Sequence, residues 1–269
     1  WWPRLEGVSG TSSQSSMSNS SGSLLLLLLL AVTTALTECN TEAERVKQSG
    51  PHESRLRDDL LKGYDRETTP GSFAKNDSTT SIYMDMYIIH VGACDRAMVA
   101  KIGGWLVMTW MDPRLVWSAA DYGNINQIRM PVAHLWSPDI LPYNMYPSIS
   151  KQWITETMTV IYNNGTVIYV PPVNIAVPCN FNITEERRAT LQCPIKLGSW
   201  TYSEDLVDLT ISDSREVNTD YYHPTGHWKM TQSMIERDSK VYPCCPEKYV
   251  SVGINLFLER RHRVSQYME

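Results

Sequence analysis

The sequence predicts an all-β fold, a β-sandwich that carries one short helix near its N-terminus. Apolar residues alternate with polar or aromatic ones along several short segments, whereas a helical period appears in one segment near the start. Alternation of this kind places successive side chains on opposite faces of a strand. Many short strands with little helix are typical of two packed sheets. The 269 residues are enough to bury a hydrophobic core between them.

The N-terminal part of the chain is expected to lie outside this fold. Residues 1–16 resemble neither a domain nor a targeting signal and end just before Met17, which indicates a non-native upstream segment. Residues 17–37 are expected to be a signal peptide, because the apolar run Leu24–Leu30 is followed by small residues. The run is too short for a spanning helix, so we expect a secreted, extracellular chain without a membrane span. The mature chain then has three predicted parts, namely a flexible segment (38–52), a folded domain (53–263) and a C-terminal tail (264–269).

The predicted helix runs from Glu53 to Asp65. Leu56, Leu60 and Leu61 fall on one helical face, and Gly63 supplies a stop signal. We therefore expect one amphipathic helix that packs its leucines on the sandwich.

The first two predicted strands follow the helix. Apolar residues alternate from Ser81 to Ile88, and after a turn the next strand runs from Val99 to Met111. Trp105 and Trp110 are five positions apart, so a regular strand points them to opposite faces. We expect Trp110 in the core and Trp105 against solvent or a partner.

Three later segments complete the predicted sheets. Val160–Val170 is a hairpin with Asn164-Gly165 at its turn, a pair that suits tight hairpin turns. Thr201–Ile211 and Tyr249–Leu258 supply further strands.

Composition narrows the function classes. A net charge of −5 gives no signal for nucleic-acid binding. Nine tryptophans and fourteen tyrosines against three phenylalanines favour interfaces and binding sites, although core packing must account for several of them. Amphipathic rings of this kind have an apolar body and a polar tip, which suits a partly wet site.

An enzyme is not expected. His223 and His227 have the spacing of a zinc helix, but the proline and glycine between them forbid that helix. We expect no cofactor and no metal site. Asp213, Glu216 and Asp220 could bind a cation such as calcium, although solvated loop charge is the favoured interpretation.

The stretch from Tyr242 to Tyr249 contains the adjacent cysteines Cys244 and Cys245. Neighbouring Cα atoms are about 3.8 Å apart, whereas ordinary disulfides span about 4.4–6.8 Å. A bond between the two would close a strained ring, and strain of this kind often marks a functional site. Alternatively, the two cysteines bond to different partners. The tyrosines would flank the tip of a stiffened hairpin, able to close over a flat, apolar or cationic group.

Secretion would bring two modifications. Six cysteines in a secreted chain should be oxidised. Three Asn-x-Ser/Thr sequons make Asn76, Asn164 and Asn182 candidate glycosylation sites.

A series of further motifs follows one order along most of the folded part. They are Leu60–Asp65, Trp110–Asp112, Leu115–Trp117, Asp121–Gly123 through Ile128–Pro131, Trp136–Asn144, Cys179 and Cys193 with thirteen residues between them, Gly198–Tyr202 and the double-cysteine stretch. From about Glu53 to Arg261 the chain resembles the extracellular ligand-binding domain of the Cys-loop (nicotinic acetylcholine) receptor family. It resembles the soluble acetylcholine-binding proteins of that group more closely.

The resemblance implies an immunoglobulin-like β-sandwich of the nicotinic receptor ligand-binding domain type, assembled as a homopentamer. Small organic cations such as acetylcholine and nicotine-like compounds would bind between neighbouring subunits. The implied principal face consists of Tyr143, Trp200, Tyr242, Cys244, Cys245 and Tyr249. The implied complementary face consists of Trp105, Ile168 and Val170.

The resemblance also implies the disulfides Cys179–Cys193 and Cys244–Cys245. Cys39–Cys94 then follows as the remaining pair, although Cys39 could instead bridge subunits.

Two functions in this family remain open from the sequence. Channel subunits usually carry an apolar run in the cysteine-closed loop, whereas this loop holds four consecutive charges at 185–188 and the Asn182 sequon. Such a segment belongs in water, which favours a secreted binding protein. The polar run Arg260–Gln266 is expected to end the chain without a membrane helix. The alternatives are the extracellular domain of a ligand-gated cation channel subunit, with a reworked loop, and a sandwich used for adhesion.

Overall fold

The computed structural model describes residues 50–75, 79–94, 98–146, 152–183, 189–224 and 226–261. The expected upstream segment, the signal peptide, the Cys39–Cys94 pair and the Asn76 sequon lie outside the described residues or depend on residues that do. Of the two units into which the chain divides, Trp1–Pro51 and His52–Glu269, the sandwich belongs to the second.

A short helix, α1, occupies residues 50–61. Leu56 is fully buried, and Leu60 and Leu61 pack partly buried against the core, as their shared helical face predicted. Gly63 has φ of 73°, the left-handed conformation that suits a glycine after a helix. The helix includes residues 50–52, which the sequence analysis placed in a flexible segment; proline at 51 is compatible because the first helical turn needs no amide donor there.

The described residues contain twelve strands, joined in places by 3₁₀ turns at Pro70–Phe73, Ala119–Tyr122 and Val132–His134. The strands are β1 (Thr80–Cys94), β2 (Val99–Val116), β3 (Gln127–Pro131), β4 (Ile140–Pro142), β5 (Met158–Tyr162), β6 (Asn164–Tyr169), β7 (Pro172–Pro178), β8 (Asn180–Ile183), β9 (Ala189–Ser199), β10 (Val207–Ile211), β11 (Trp228–Val241) and β12 (Lys248–Arg260).

The strands form two sheets. The seven-stranded sheet has the order β10-β1-β2-β6-β5-β3, with β7 also paired to β2. The five-stranded sheet has the order β11-β12-β9-β4, with β8 also paired to β9. Side chains from both sheets, such as Met84 on β1 and Ile254 on β12, meet in one buried core. The predicted all-β sandwich with one N-terminal helix is therefore confirmed.

The two tryptophans of β2 lie on opposite faces, as their spacing predicted. Trp110 is 2% exposed and packs edge-on against buried Trp136, with ring centroids 5.9 Å apart. Trp105 is 37% exposed on the outward face.

The Asn-Gly pair turns the β5–β6 hairpin as predicted. Gly165 has φ of 86°, and a side chain there would come within 2.6 Å of the Asp112 carbonyl oxygen. Glycine is therefore required both by the backbone conformation and by the close approach of β2.

The predicted strand Thr201–Ile211 is shorter than expected, because β10 begins at Val207. The preceding amides find other acceptors: Thr201 donates to the Asp139 carboxylate and Tyr202 donates to the Ser199 hydroxyl. Side-chain acceptors compete here with a strand ladder and leave a loop at the end of the sandwich.

Cys179 and Cys193 form a disulfide with a Cα–Cα distance of 4.3 Å, which joins the start of β8 to its partner β9. The second expected pair, Cys244–Cys245, also forms a disulfide. Within the described ranges, no helix has the length and apolar character needed to cross a membrane.

Candidate functional site

An open recess of about 480 Å³ lies on the five-stranded sheet beneath the β11–β12 turn. We call it the aromatic recess. All six residues that the sequence analysis assigned to the principal face line it, together with two others. The lining residues are Tyr143, Lys196, Ser199, Trp200, Tyr242, Cys244, Cys245 and Tyr249.

Tyr143 follows the short strand β4 and is fixed by its backbone and its hydroxyl. Its amide donates to the Lys196 carbonyl at 2.8 Å, and its hydroxyl donates to the Ser199 carbonyl. The next residue, Asn144, is bonded on both sides to β9: its Nδ2 donates to the Pro194 carbonyl and its Oδ1 accepts from the Lys196 amide. The Tyr143 ring is thereby held against β9.

Gly198 on β9 makes room for that ring. A Cβ atom at this position would lie 2.4 Å from the Tyr143 hydroxyl oxygen and 3.0 Å from the Val250 carbonyl oxygen. Any side chain would therefore displace the tyrosine from the recess.

Trp200 stands immediately after β9 and is 62% exposed. Asp139 organises the backbone around it, because the Asp139 carbonyl accepts from the Trp200 amide at 3.2 Å. The Asp139 carboxylate accepts from the Ser199 hydroxyl, the Thr201 amide and the Thr201 hydroxyl. The indole meets the Tyr143 ring at a centroid distance of 6.0 Å and an interplanar angle of 69°.

The β11–β12 turn, residues 242–247, covers the recess, and we call it the lid. Val241 and Lys248 form the last strand pair before it. Tyr242 and Tyr249 approach edge to face at its base, with centroids 6.0 Å apart. The Cys245 amide donates to the Tyr242 carbonyl at 3.1 Å, which closes the turn beside the Cys244–Cys245 disulfide.

The recess offers aromatic faces rather than anionic groups. Of its eight lining residues, the charged one is Lys196, whose Nζ lies 3.8 Å from the Asp238 carboxylate. Burial raises the pKa of Tyr143 to about 12, with smaller contributions from Tyr242, Asp139 and Tyr249. The phenol therefore stays neutral at physiological pH. An organic cation here would be attracted mainly by ring faces and by apolar contact.

The residues assigned to the complementary face lie on the other sheet. Ile168 on β6 pairs directly with Thr109 on β2, which shares a strand face with Trp105. Val170 is two positions beyond Ile168 and is also exposed. All three therefore share the outward face of the seven-stranded sheet.

Trp105 has two aromatic neighbours that the sequence analysis did not assign. Tyr221 meets it edge-on at 5.4 Å between ring centroids, and Tyr87 lies at 6.3 Å from it. Tyr87 is its direct partner across β1 and β2, so strand register could have indicated that contact. Tyr221 comes from a loop far along the chain, and no local signal places it there.

One protomer does not bring the two groups together. The six principal residues meet in the recess on one sheet, whereas the three complementary residues lie on the outward face of the other, with the core between them. The sequence analysis also missed Lys196, Ser199 and Asp139. Lys196 could have been found, because it alternates with Gly198 and Trp200 on one face of β9.

Two of the three candidate glycosylation sites lie on described strands. Asn164 at the start of β6 and Asn182 on β8 are both exposed, as glycan attachment requires.

Residues 53–262 match the family model of the neurotransmitter-gated ion-channel ligand binding domain. The chain is 32% identical over 219 residues to acetylcholine receptor subunit alpha-type acr-16 of Caenorhabditis briggsae, with 80% of this chain and 43% of the relative covered. It is 31% identical over 234 residues to acr-16 of Caenorhabditis elegans, with 86% and 46% covered. Neuronal acetylcholine receptor subunit alpha-2 of Pan troglodytes is 30% identical over 221 residues, with 80% and 41% covered.

The chain thus spans less than half the length of each of these relatives. They are receptor subunits, so they support the receptor resemblance and not the narrower one to soluble binding proteins. Because the family model matches most of the chain, this protein belongs to the neurotransmitter-gated ion-channel ligand-binding domain family.

Proposed function

We propose that this chain is the extracellular ligand-binding domain of a nicotinic acetylcholine receptor-like subunit and that it binds acetylcholine or related amines. The observation that carries the proposal is the aromatic recess, in which Tyr143, Trp200, Tyr242 and Tyr249 surround a space without an anionic side chain. A quaternary ammonium ion has no proton to donate, so ring faces suit it better than hydrogen-bond acceptors do. No reaction is involved, because the recess offers binding surfaces and the proposal needs no catalytic step.

The energetics require more than ring contacts. Each cation–π contact contributes about 0.5–2 kcal/mol. Micromolar binding needs about 8 kcal/mol. Burial of the ligand's methyl groups, at roughly 25 cal/mol per Å², must supply much of the rest. An open recess on one protomer buries little of a ligand, which favours a site completed by a second surface.

The outward face of the seven-stranded sheet is that second surface in our proposal. Trp105, Ile168 and Val170 of one subunit would close the recess of its neighbour in a homopentamer. Head-to-tail contacts between different surfaces of identical chains generate closed rings of this kind. The names of the relatives, which are acetylcholine receptor subunits, support the same ligand class.

The receptor form of the proposal has support from β8. Phe181 and Ile183, in the loop closed by Cys179 and Cys193, are both exposed. An exposed apolar pair favours contact with another apolar surface, such as that of a membrane domain.

A secreted binding protein is the second candidate. It is favoured by the exposed Asn182 sequon and by the four charges at 185–188, which would obstruct such a contact. Fractionation of the native product separates the two: a receptor subunit is expected in the membrane fraction, whereas recovery from the medium would support the secreted form.

Ligand binding is tested by calorimetric titration of the assembled protein with acetylcholine and nicotine. We expect saturable binding, with affinity reduced more than about tenfold in Trp200→Ala because a large cation–π face is lost. Trp200→Phe, which keeps an aromatic face, should lie between the two. Equal affinity in all three proteins would contradict the assigned site.

A further inference from the structure

Glu204 connects the Trp200 loop to the base of the lid. It lies four residues after Trp200, in the loop before β10. One carboxylate oxygen accepts from Arg237 Nη2, and the other accepts from the Ser239 hydroxyl. The Glu204 amide donates to the Lys248 carbonyl at 2.8 Å. One residue therefore holds both strands of the lid hairpin, β11 by its side chain and β12 by its backbone.

The strand that it holds has little other support. β11 is the edge strand of the five-stranded sheet, and every residue from Glu236 to Val241 is exposed. Between the two residues that contact Glu204, Asp238 faces the recess, 3.8 Å from Lys196. An edge strand with one hydrogen-bonded neighbour opens at a lower free-energy cost than a central strand.

Arg237 is itself held from a third direction. Its Nη2 donates to Asp208 Oδ1 at 2.6 Å, and its Nε donates to the Leu209 carbonyl at 2.9 Å. Asp208 and Leu209 belong to β10, which pairs with β1 in the other sheet. The guanidinium is thus placed by the sandwich before it meets Glu204, so less side-chain entropy is lost when the contact forms.

We propose that Glu204, Arg237 and Ser239 form a hinge clamp that sets how far the lid closes over the aromatic recess. Glu204 is a positioning residue: it lines no part of the recess and acts through Tyr242, Tyr249 and the Cys244–Cys245 tip. The inference that the clamp controls ligand release rests on the proposed function, whereas its control of lid opening does not.

The electrostatics of the clamp agree with its geometry. Hydrogen bonds from Ser239 and Arg237 hold the pKa of Glu204 below its usual value, so the carboxylate is charged at neutral pH. Charge-assisted bonds are stronger than neutral ones. Glu204→Gln keeps the size of the side chain and removes this charge.

Asp205 provides a matched control. It is the neighbouring acidic residue, is exposed, and its side chain makes no hydrogen bond or ion pair within the described part of the chain. Asp205→Asn removes the same charge from the same loop, so it reports any general loss of attraction for a cationic ligand.

The first measurement needs no ligand. Hydrogen exchange, read by mass spectrometry on the assembled protein, should be about three- to tenfold faster across residues 241–249 in Glu204→Gln and unchanged in Asp205→Asn. The double variant Glu204→Gln/Ser239→Ala should exceed Glu204→Gln by less than Ser239→Ala alone exceeds the parent, because the two residues share one contact. Equal exchange in Glu204→Gln and the parent overturns the clamp.

The second measurement is the dissociation rate of bound nicotine. We expect it to rise about three- to tenfold in Glu204→Gln, with the association rate and the melting temperature nearly unchanged. Faster lid exchange with an unchanged dissociation rate would overturn the control of release. If the parent chain bound no nicotinic ligand while lid exchange still responded to Glu204→Gln, the proposed function would fail and the structural clamp would stand.

Discussion

Gly198 is the residue at which the aromatic recess is most sensitive to a single added carbon. A Cβ atom there would meet the Tyr143 hydroxyl at 2.4 Å, well inside contact distance, and the tyrosine ring has no flexible end that can move aside. The ring must rotate away, or β9 must shift. Its position decides both the shape of the recess and the contact with Trp200.

We therefore predict that Gly198→Ala weakens acetylcholine binding about tenfold or more and lowers the free energy of unfolding by about 1–3 kcal/mol, as overpacking usually does. Calorimetric titration and denaturant unfolding measure the two effects. Gly253→Ala is the control, because its Cβ would have one neighbour at 3.9 Å, the Glu236 carbonyl oxygen, on the adjacent strand. A Gly198→Ala protein that binds as well as the Gly253→Ala protein would show that Tyr143 does not contribute to the site.

Two disulfides at the level of strands and turns have opposite expected roles. Cys179 and Cys193 are fourteen positions apart and are buried between β8 and β9, whereas Cys244 and Cys245 are adjacent at an exposed tip. A cross-link stabilises a fold mainly by restricting the unfolded chain, and the effect grows with the loop that it closes. The first pair should therefore support the fold, whereas the second restricts almost no unfolded chain and should act on the lid.

We predict that Cys179→Ala/Cys193→Ala costs about 3 kcal/mol of unfolding free energy, the scale expected for a loop of this length. Cys244→Ser/Cys245→Ser should leave the melting temperature within a degree or two, since surface changes usually cost less than about 0.5 kcal/mol. The same variant should weaken nicotine binding, because the tip lines the recess. Thermal unfolding and titration of both variants measure the difference. A lid variant that lost stability and kept its affinity would reverse the assignment.

At the scale of the whole molecule, the proposed ligand site requires two protomers. Trp200 and Trp105 lie on different sheets of the sandwich, so each of two variants can destroy one half-site and leave the other intact. Trp200→Ala and Trp105→Ala are each expected to lose binding when expressed alone.

Coexpression of the two variants should restore sites. A Trp105→Ala subunit still offers Trp200, and a Trp200→Ala subunit still offers Trp105, so about a quarter of the interfaces in a randomly mixed ring would be intact. Titration of the mixed assembly would measure that fraction. Absence of any restored binding in a mixed ring would place the whole site within one subunit.

Elements with a local signal were predicted well from the sequence. The opposite faces of Trp105 and Trp110 follow from a two-residue period, and the β5–β6 turn follows from the conformational freedom of Gly165. The adjacent cysteines marked the lid before any contact was known. Each of these features depends on residues a few positions apart, so side-chain geometry along a strand is enough to predict it.

Contacts between distant segments were decided by the tertiary structure. Asp139 meets Ser199 across 60 positions, and this pairing, rather than strand propensity, turns the start of the predicted strand Thr201–Ile211 into the loop beyond Trp200. Glu204 and Arg237 are 33 positions apart and meet because the lid hairpin folds back over β10. The sequence by itself determined the strand periods, the inward and outward faces and the positions of the tight turns. Packing of the two sheets decided which rings share a recess and which lie on the far side of the core, because only folding brings those segments together.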